Sequence, residues 1–155
     1  MNKNLIILMI DAGRFDRASK SKFFKSIQEK SACFLQSVTY GPHTIASMHA
    51  VFSGSYGNRT GTNSYWSTFK FKKNKFKTLT EYLKEQNYYT CAEVVNELVL
   101  PKQGFDEFTI YDEKENNIIS RHINLLKKMK SHNDHNKNFF LYVQYAGIHA
   151  TIIDE

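Results

Sequence analysis

Cysteine, proline and glycine are all scarce, at two, two and seven among 155 residues. Two cysteines set no disulfide framework, and Cys33 and Cys91 lack the spacing of a zinc site. They are expected to be reduced and buried. So little Pro and Gly excludes collagen-like and linker-like character. Long apolar runs are missing too. Residues 5–10 are too few for a signal-peptide core or a membrane span, and no longer run follows. The expectation is a cytoplasmic chain without a membrane span. Acidic residues are in deficit, with 15 Asp and Glu against 21 Lys and Arg, a net charge of +6. That excess suits an anionic substrate. It does not suit nucleic acid, because the lysines at 70–77 and 127–130 fall on a loop and a helix end with no reading element.

What remains is a chain that can fold. Apolar residues make up 41% and aromatics 14%, enough for one domain over residues 1–155. Apolar runs alternate with amphipathic stretches. Residues 4–10 read as a central strand buried on both faces. Residues 18–30 read as a surface helix and 32–39 as a second strand. Thr44 to Gly54 reads as a short helix with a glycine stop. Residues 55–75 form a long irregular excursion. Thr78 and Glu81 make a capping box for a helix over 79–87. Residues 88–95, 104–111 and 139–145 read as extended. Residues 115–131 read as an amphipathic helix, with Ile118, Ile119, Ile123, Leu126 and Met129 inward, before a polar turn at 132–138. The fold class expected is α/β, a three-layer sandwich with a largely parallel central sheet, incomplete at the C-terminus.

Ligands of such sheets bind beyond the carboxyl ends of the strands. Asp11 ends the first strand and His149 follows the last. Thr44 opens a helix after Gly41-Pro42-His43. A carboxylate at a strand tip can hold a metal, and a hydroxyl in the first turn of a helix can attack an ester. Each has a plainer role as well. Asp11 can cap a turn, Thr44 can be an ordinary N-cap, and Ser47 can be a structural hydrogen-bonding residue. Arg14 and Asp16 can pair to set their loop. His43 and His49 flank Thr44 without a ligand pattern, while His122, His132 and His135 read as solvated.

Five segments in order resemble the alkaline phosphatase superfamily, in its sulfatase-like N-terminal portion. Ile10-Asp-Ala-Gly-Arg-Phe-Asp16 is similar to the opening strand and loop. Thr44-x-x-Ser47 with Ser53-Gly54, then Tyr56 and Gly61, is similar to the nucleophile motif. Leu79 to Thr90 is similar to the helix leading into a Gly-Tyr-x-Thr strand, with Asn87 in place of Gly. Gly104-Phe-Asp106 and Phe140-Leu-Tyr-Val143 with His149 complete the series, without the Pro-Tyr pair that usually follows.

The resemblance implies Asp11 as a metal ligand, Thr44 as nucleophile and metal contact, and His149 near the substrate anion. It implies a divalent cofactor, Zn, Mn or Ca, and a small-molecule, lipid or glycan ester substrate. Departures matter. Sulfatases carry Cys or Ser, then x-Pro-x-Arg, at the nucleophile; here the positions hold Thr44, Ala46 and Met48. Their paired Asp is Asp11-Ala12, and their Gly-Lys aligns with Val94-Val95. An unmodified Thr resembles the phosphodiesterase and phosphotransferase branches. The function expected is hydrolysis or transfer of phosphate or sulfate esters through a threonine. The alternatives are a sulfatase without the maturation motif and a catalytically inactive α/β binding module. Family members carry further metal-binding Asp and His residues in a second half, so the isolated chain is expected to be a fragment with weak turnover or none.

Overall fold

The computed structural model describes residues 3–115, 117–134 and 138–149. Four strands form one sheet: β1 (Leu5–Ile10), β2 (Tyr89–Val94), β3 (Glu107–Ile110) and β4 (Phe139–Tyr145). Their order is β1-β4-β2-β3, and every pairing is parallel. Leu5 sits beside Phe140 and Cys91 beside Leu141. All four carboxyl ends therefore open on one edge.

Helices cover both faces. On one lie α3 (Thr44–Ser53) and α5 (Leu79–Glu85). Phe52 of α3 packs there on Ala92, Val94, Phe140 and Tyr142, with Ile7, Met9, Met48, Leu79 and Leu83 around it. On the other face lies α6 (Ile118–Asp134), whose Met129 and Leu125 pack on Cys91, Phe139, Leu141 and Val143. The α/β layering expected from the alternating patterns is present.

Local signals account for the element ends. Thr78 Oγ1 accepts from the Glu81 amide, and the Glu81 carboxylate accepts from the Thr78 amide. Two N–H groups that the helix cannot use are thereby satisfied. Gly54 stops α3 at φ 61°. Asn87 occupies the same left-handed region at φ 62°, which explains why that position resembles a glycine.

Several expectations fail. The 4–10 run is a strand, but it stands at the edge of the sheet, and Leu5, Ile6 and Leu8 are exposed. Its apolar pattern fits a central strand, yet β4 is its sole partner among the described residues. Residues 32–39 form no strand; their alternation is weak. The 18–30 helix is present but shorter, as α2 (Lys22–Gln28), and a separate turn of helix, α1 (Phe15–Ala18), precedes it. The irregular 55–75 excursion holds a turn of helix, α4 (Gly57–Thr60), and a 3-10 turn over Tyr65–Lys70. Cys91 is buried but Cys33 is exposed.

The α6 face is also rotated. Ile118, Leu125 and Met129 approach the sheet, whereas Ile119, Ile123 and Leu126 face outward. Two ion pairs hold this setting. Arg121 Nε donates to Glu93 Oε1 at 2.5 Å, and Lys128 Nζ donates to Glu107 Oε1 at 2.7 Å. The helix extends through Asp134, into the stretch expected as a turn; residues 135–137 of that stretch lie outside the described residues.

Candidate active site

Parallel pairing brings the tips of β1, β4 and β2 together, and an open cavity of about 1070 Å³ lies above them. Asp11, Thr44, His43, Asn96, Gln144 and His149 are among its lining residues. Asp11 and Thr44, 33 positions apart, meet directly. The Thr44 hydroxyl donates to Asp11 Oδ1 at 3.0 Å and lies 3.2 Å from Oδ2.

Each partner is held from behind. The Asp11 amide donates to the Tyr145 carbonyl at 2.9 Å, extending the β1–β4 ladder by one rung. The chain then turns sharply, with Ala12 at φ 58°, and the Ala12 amide donates back to Asp11 Oδ1 at 3.0 Å. A non-glycine residue in the left-handed region carries strain of about 1–2 kcal/mol. That strain sits next to the candidate carboxylate.

Thr44 is the first helical residue of α3, not its cap. The cap is His43, whose Nδ1 accepts from the Ala46 amide at 3.4 Å. The Thr44 side chain is thus released from capping and is available to Asp11. It stands in the first turn of a ten-residue helix, where N–H groups precede the intrahelical ladder and favour an anion.

Gln144 was not legible as a site residue. It is fully buried at the end of β4. Its Nε2 donates to Asp11 Oδ2 at 2.8 Å, and its Oε1 accepts from the Val95 amide at 3.2 Å. Tyr111 caps the arrangement, donating its hydroxyl to the Gln144 carbonyl at 2.5 Å. Burial pushes the Tyr111 hydroxyl pKa up to about 12, so it stays a donor at neutral pH. One amide side chain thereby ties the ends of β1, β4 and β2. The available signal was a lone amide in the apolar run Phe139-Phe-Leu-Tyr-Val-Gln-Tyr145.

His149 lies on the cavity wall in the turn after β4, with its amide bonded to the Ala146 carbonyl. Its Nδ1 is 4.0 Å from Glu113 Oε2. Glu113 and Asp112 line the same wall. The other named residues stay outside the chemistry. Arg14 and Asp16 pair at 2.9 Å. The Ser47 hydroxyl donates to the Gly41 carbonyl at 3.0 Å. His49 is buried against the Leu98 carbonyl at 3.1 Å, and desolvation lowers its pKa to about 4. His122 is not solvated: it lies under α6 beside Glu93 and Tyr111, and burial lowers its pKa. The His132 side chain and His135 lie outside the described residues.

Among the described residues no group of three or more His, Cys, Asp or Glu converges to hold a metal. Asp11 and Thr44 contribute one carboxylate and one hydroxyl, short of the four or more donors a stable site needs. The described residues do not by themselves fit a resident divalent cation.

The family follows from a match along almost the whole chain: the Sulfatase family profile covers residues 3–154. The chain belongs to the sulfatase family. That family fits within the alkaline phosphatase superfamily, and its members generally use a divalent metal. A similar solved structure is BT4656 in complex with its substrate D-glucosamine-2-N,6-O-disulfate. It superposes with a TM-score of 0.73 at 18% identity, over 94% of this chain and 35% of that one. At that identity the likeness speaks for the fold. The sulfatase-family chain thus spans about a third of the length of that neighbour. No curated protein matches it. No described helix is long and apolar enough to cross a membrane.

Proposed function

We propose that this chain carries the nucleophile side of a sulfatase-family ester hydrolase or transferase, with an unmodified Thr44 attacking a phosphate ester. The observation that carries it is the Thr44–Asp11 contact at the floor of the cavity. A hydroxyl that donates to a carboxylate keeps its lone pairs for an incoming electrophile and has a proton acceptor in place. The first turn of α3 faces the anionic group being attacked.

The reaction balances with these groups. Thr44 Oγ1 forms a bond to phosphorus, its proton passes to Asp11, and the phosphorus–alkoxide bond breaks. The departing alkoxide takes a proton from water. Water, or an acceptor alcohol, then attacks the phosphothreonine; the threonine oxygen leaves phosphorus and takes back the proton held by Asp11, which restores the carboxylate. Gln144 fixes the carboxylate through Oδ2, and His149 is positioned for an anionic oxygen of the substrate. Asp11 is also the donor a divalent cation would use. Because the described residues do not complete such a site, no step is assigned to a cation.

Phosphate is preferred over sulfate on the residue itself. Thr44 is neither Cys nor Ser, and Ala46 and Met48 replace the Pro and Arg of the maturation motif. A sulfated or phosphorylated sugar would suit a cavity of this size, in keeping with the sulfated sugar bound by the structural neighbour.

The test is covalent labelling. The purified chain is incubated with bis-nitrophenyl phosphate or nitrophenyl sulfate, with and without manganese or zinc, and digested for peptide mass mapping. A phosphoryl adduct on Thr44, lost in Thr44→Ala, is the expected outcome. A sulfuryl adduct with no phosphoryl adduct would favour the sulfatase alternative. The inactive-module alternative would stand if Thr44 acquired no adduct and neither metal bound at millimolar concentration.

A further inference from the structure

The positive charge of the chain is not spread along it. Residues 30–80 hold seven Lys and Arg and no Asp or Glu, whereas the rest holds 14 against 15. The whole excess therefore lies in the stretch that also supplies Thr44. The later part of that stretch carries a second feature. The 3-10 turn Tyr65–Lys70 presents Trp66 and Phe69, which are 79% and 80% exposed. Side chains three apart eclipse one another in such a turn, so the two rings share a face.

The turn is anchored from below. Ser67 is buried, and its hydroxyl donates to the Ser64 carbonyl at 2.9 Å. Phe71 is buried against the His49 ring at a centroid distance of 5.2 Å. The Lys72 amide donates to the Thr60 carbonyl at 2.9 Å. Two of the lysines are engaged: Lys72 Nζ donates to the Arg59 carbonyl at 3.0 Å, and Lys77 pairs with Glu85. Lys70, Lys73 and Lys75 are exposed and make no ion pair among the described residues. Lys70 Nζ stands 5.9 Å from the centre of the Phe69 ring. Two bare rings and three unpaired ammonium groups thus crowd one short segment. Trp66 also meets Tyr65 at a centroid distance of 4.8 Å, and Tyr65 lines the cavity above Thr44.

From this patch we infer that residues 65–75 dock on an anionic lipid surface. Trp66 and Phe69 enter the boundary between headgroups and acyl chains, where an aromatic ring leaves water without a partner of its own. Lys70, Lys73 and Lys75 stay outside, against the negative surface potential of the headgroups. Charge complementarity argues for this occupant, because no acid within residues 30–80 opposes it. Ring geometry decides against a nucleic acid. Stacked bases need aromatic faces laid out along a groove. Here Tyr65 and Trp66 meet edge to face at 76°, and neither Trp66 nor Phe69 lines the cavity. Docking sets the cavity rim beside the headgroups through Tyr65. The inference is independent of the threonine chemistry and holds for a chain with no turnover.

Trp66 is the single tryptophan of the chain, so its fluorescence reads the contact directly. The 155-residue chain is titrated with phosphatidylcholine vesicles, with and without about 30% phosphatidylserine. A parallel set carries brominated acyl chains. Binding is expected on the anionic vesicles, with a blue shift of Trp66 and quenching by the bromines, and little on the neutral ones. Joint replacement Lys70→Ala, Lys73→Ala and Lys75→Ala is expected to weaken binding about a hundredfold, and Phe69→Ala about tenfold. The charge-matched control Lys20→Ala, Lys22→Ala and Lys25→Ala, on exposed positions away from the patch, should change it by less than about fivefold. Equal losses in the two triple variants, no binding to either vesicle, or binding without a shift of Trp66 would overturn the inference. Tighter binding to dextran sulfate or single-stranded DNA that survives Phe69→Ala would overturn it in favour of a polyanion site.

Discussion

Two regions that both carry large apolar side chains behave in opposite ways. β2 and β4 are buried along nearly their whole length, packed between Phe52 on one face and Met129 on the other. Residues 11–40 contain no buried residue, although Phe15, Phe23, Phe24, Ile27, Phe34, Leu35 and Val38 lie among them. The inner strands are denser in apolar residues, and they are also covered. β2 and β4 have helices from this chain on both sides, whereas residues 11–40 stay exposed or half-buried even where Thr39 reaches Ser47 of α3. Stability should therefore be concentrated in the inner strands, with the Asp11 end of the site fastened to them through Gln144 and Tyr145.

The sharpest way to break this contrast is to truncate one aromatic in each region. Phe52 is buried and meets Phe105, Phe140 and Tyr142 at ring-centroid distances of 5.9, 6.2 and 5.5 Å. Phe52→Ala is expected to cost about 3–5 kcal/mol. Phe34, which is 82% exposed, is expected to change stability by no more than about 0.5 kcal/mol as Phe34→Ala. Urea denaturation of the full chain measures both. Equal losses would mean that residues 11–40 are covered in solution.

A second, smaller effect tests whether the buried region is as dry as its packing indicates. His49 is buried in α3 with its Nε2 on the Leu98 carbonyl, and desolvation lowers its pKa from 6.5 to about 4. The unfolded chain takes up the proton first as pH falls. The stability that neutral His49 contributes is thus fully present above pH 6.5 and is lost on descending toward pH 4. The loss is about 3 kcal/mol at most. His49→Gln keeps a donor for Leu98 without titrating and should flatten the slope of unfolding free energy between those pH values. An unchanged slope would place the acid sensitivity elsewhere.

The same contrast explains what could be read in advance. The capping box at Thr78 and Glu81, the glycine stop at Gly54 and the Asp11–Thr44 pair rest on local chemistry or motif order, and all are found where the sequence puts them. Readings that depended on neighbours failed. A continuous apolar run fits a strand with two neighbours, but it carries no mark of which neighbours are present, so β1 was read as central. The inward face of α6 was set by charge pairs from Arg121 and Lys128 to other strands, which hydrophobic periodicity does not register. Gln144 was missed because a lone polar residue in an apolar strand reads as a tolerated exception. Its importance comes from two partners 133 and 49 positions away.

The smallest effect falls at the junction of the two regions, where β1 gives way to the uncovered segment. Ala12 holds φ 58° without the freedom of glycine, and its amide fixes Asp11 Oδ1. Ala12→Gly removes the clash of Cβ with the backbone but adds freedom to the unfolded chain. The two effects oppose each other, so a net gain of about 1 kcal/mol or less is expected in urea denaturation. The informative readout is the site. If the turn is held by Asp11, Gln144 and the β1–β4 ladder, the glycine variant should keep the Asp11–Thr44 contact and label Thr44 as the parent does. If Ala12 itself enforces the turn, the variant should be more stable yet lose Thr44 labelling. That outcome would show strain at residue 12 holding the carboxylate in place on the side of β1 that the rest of the fold leaves open.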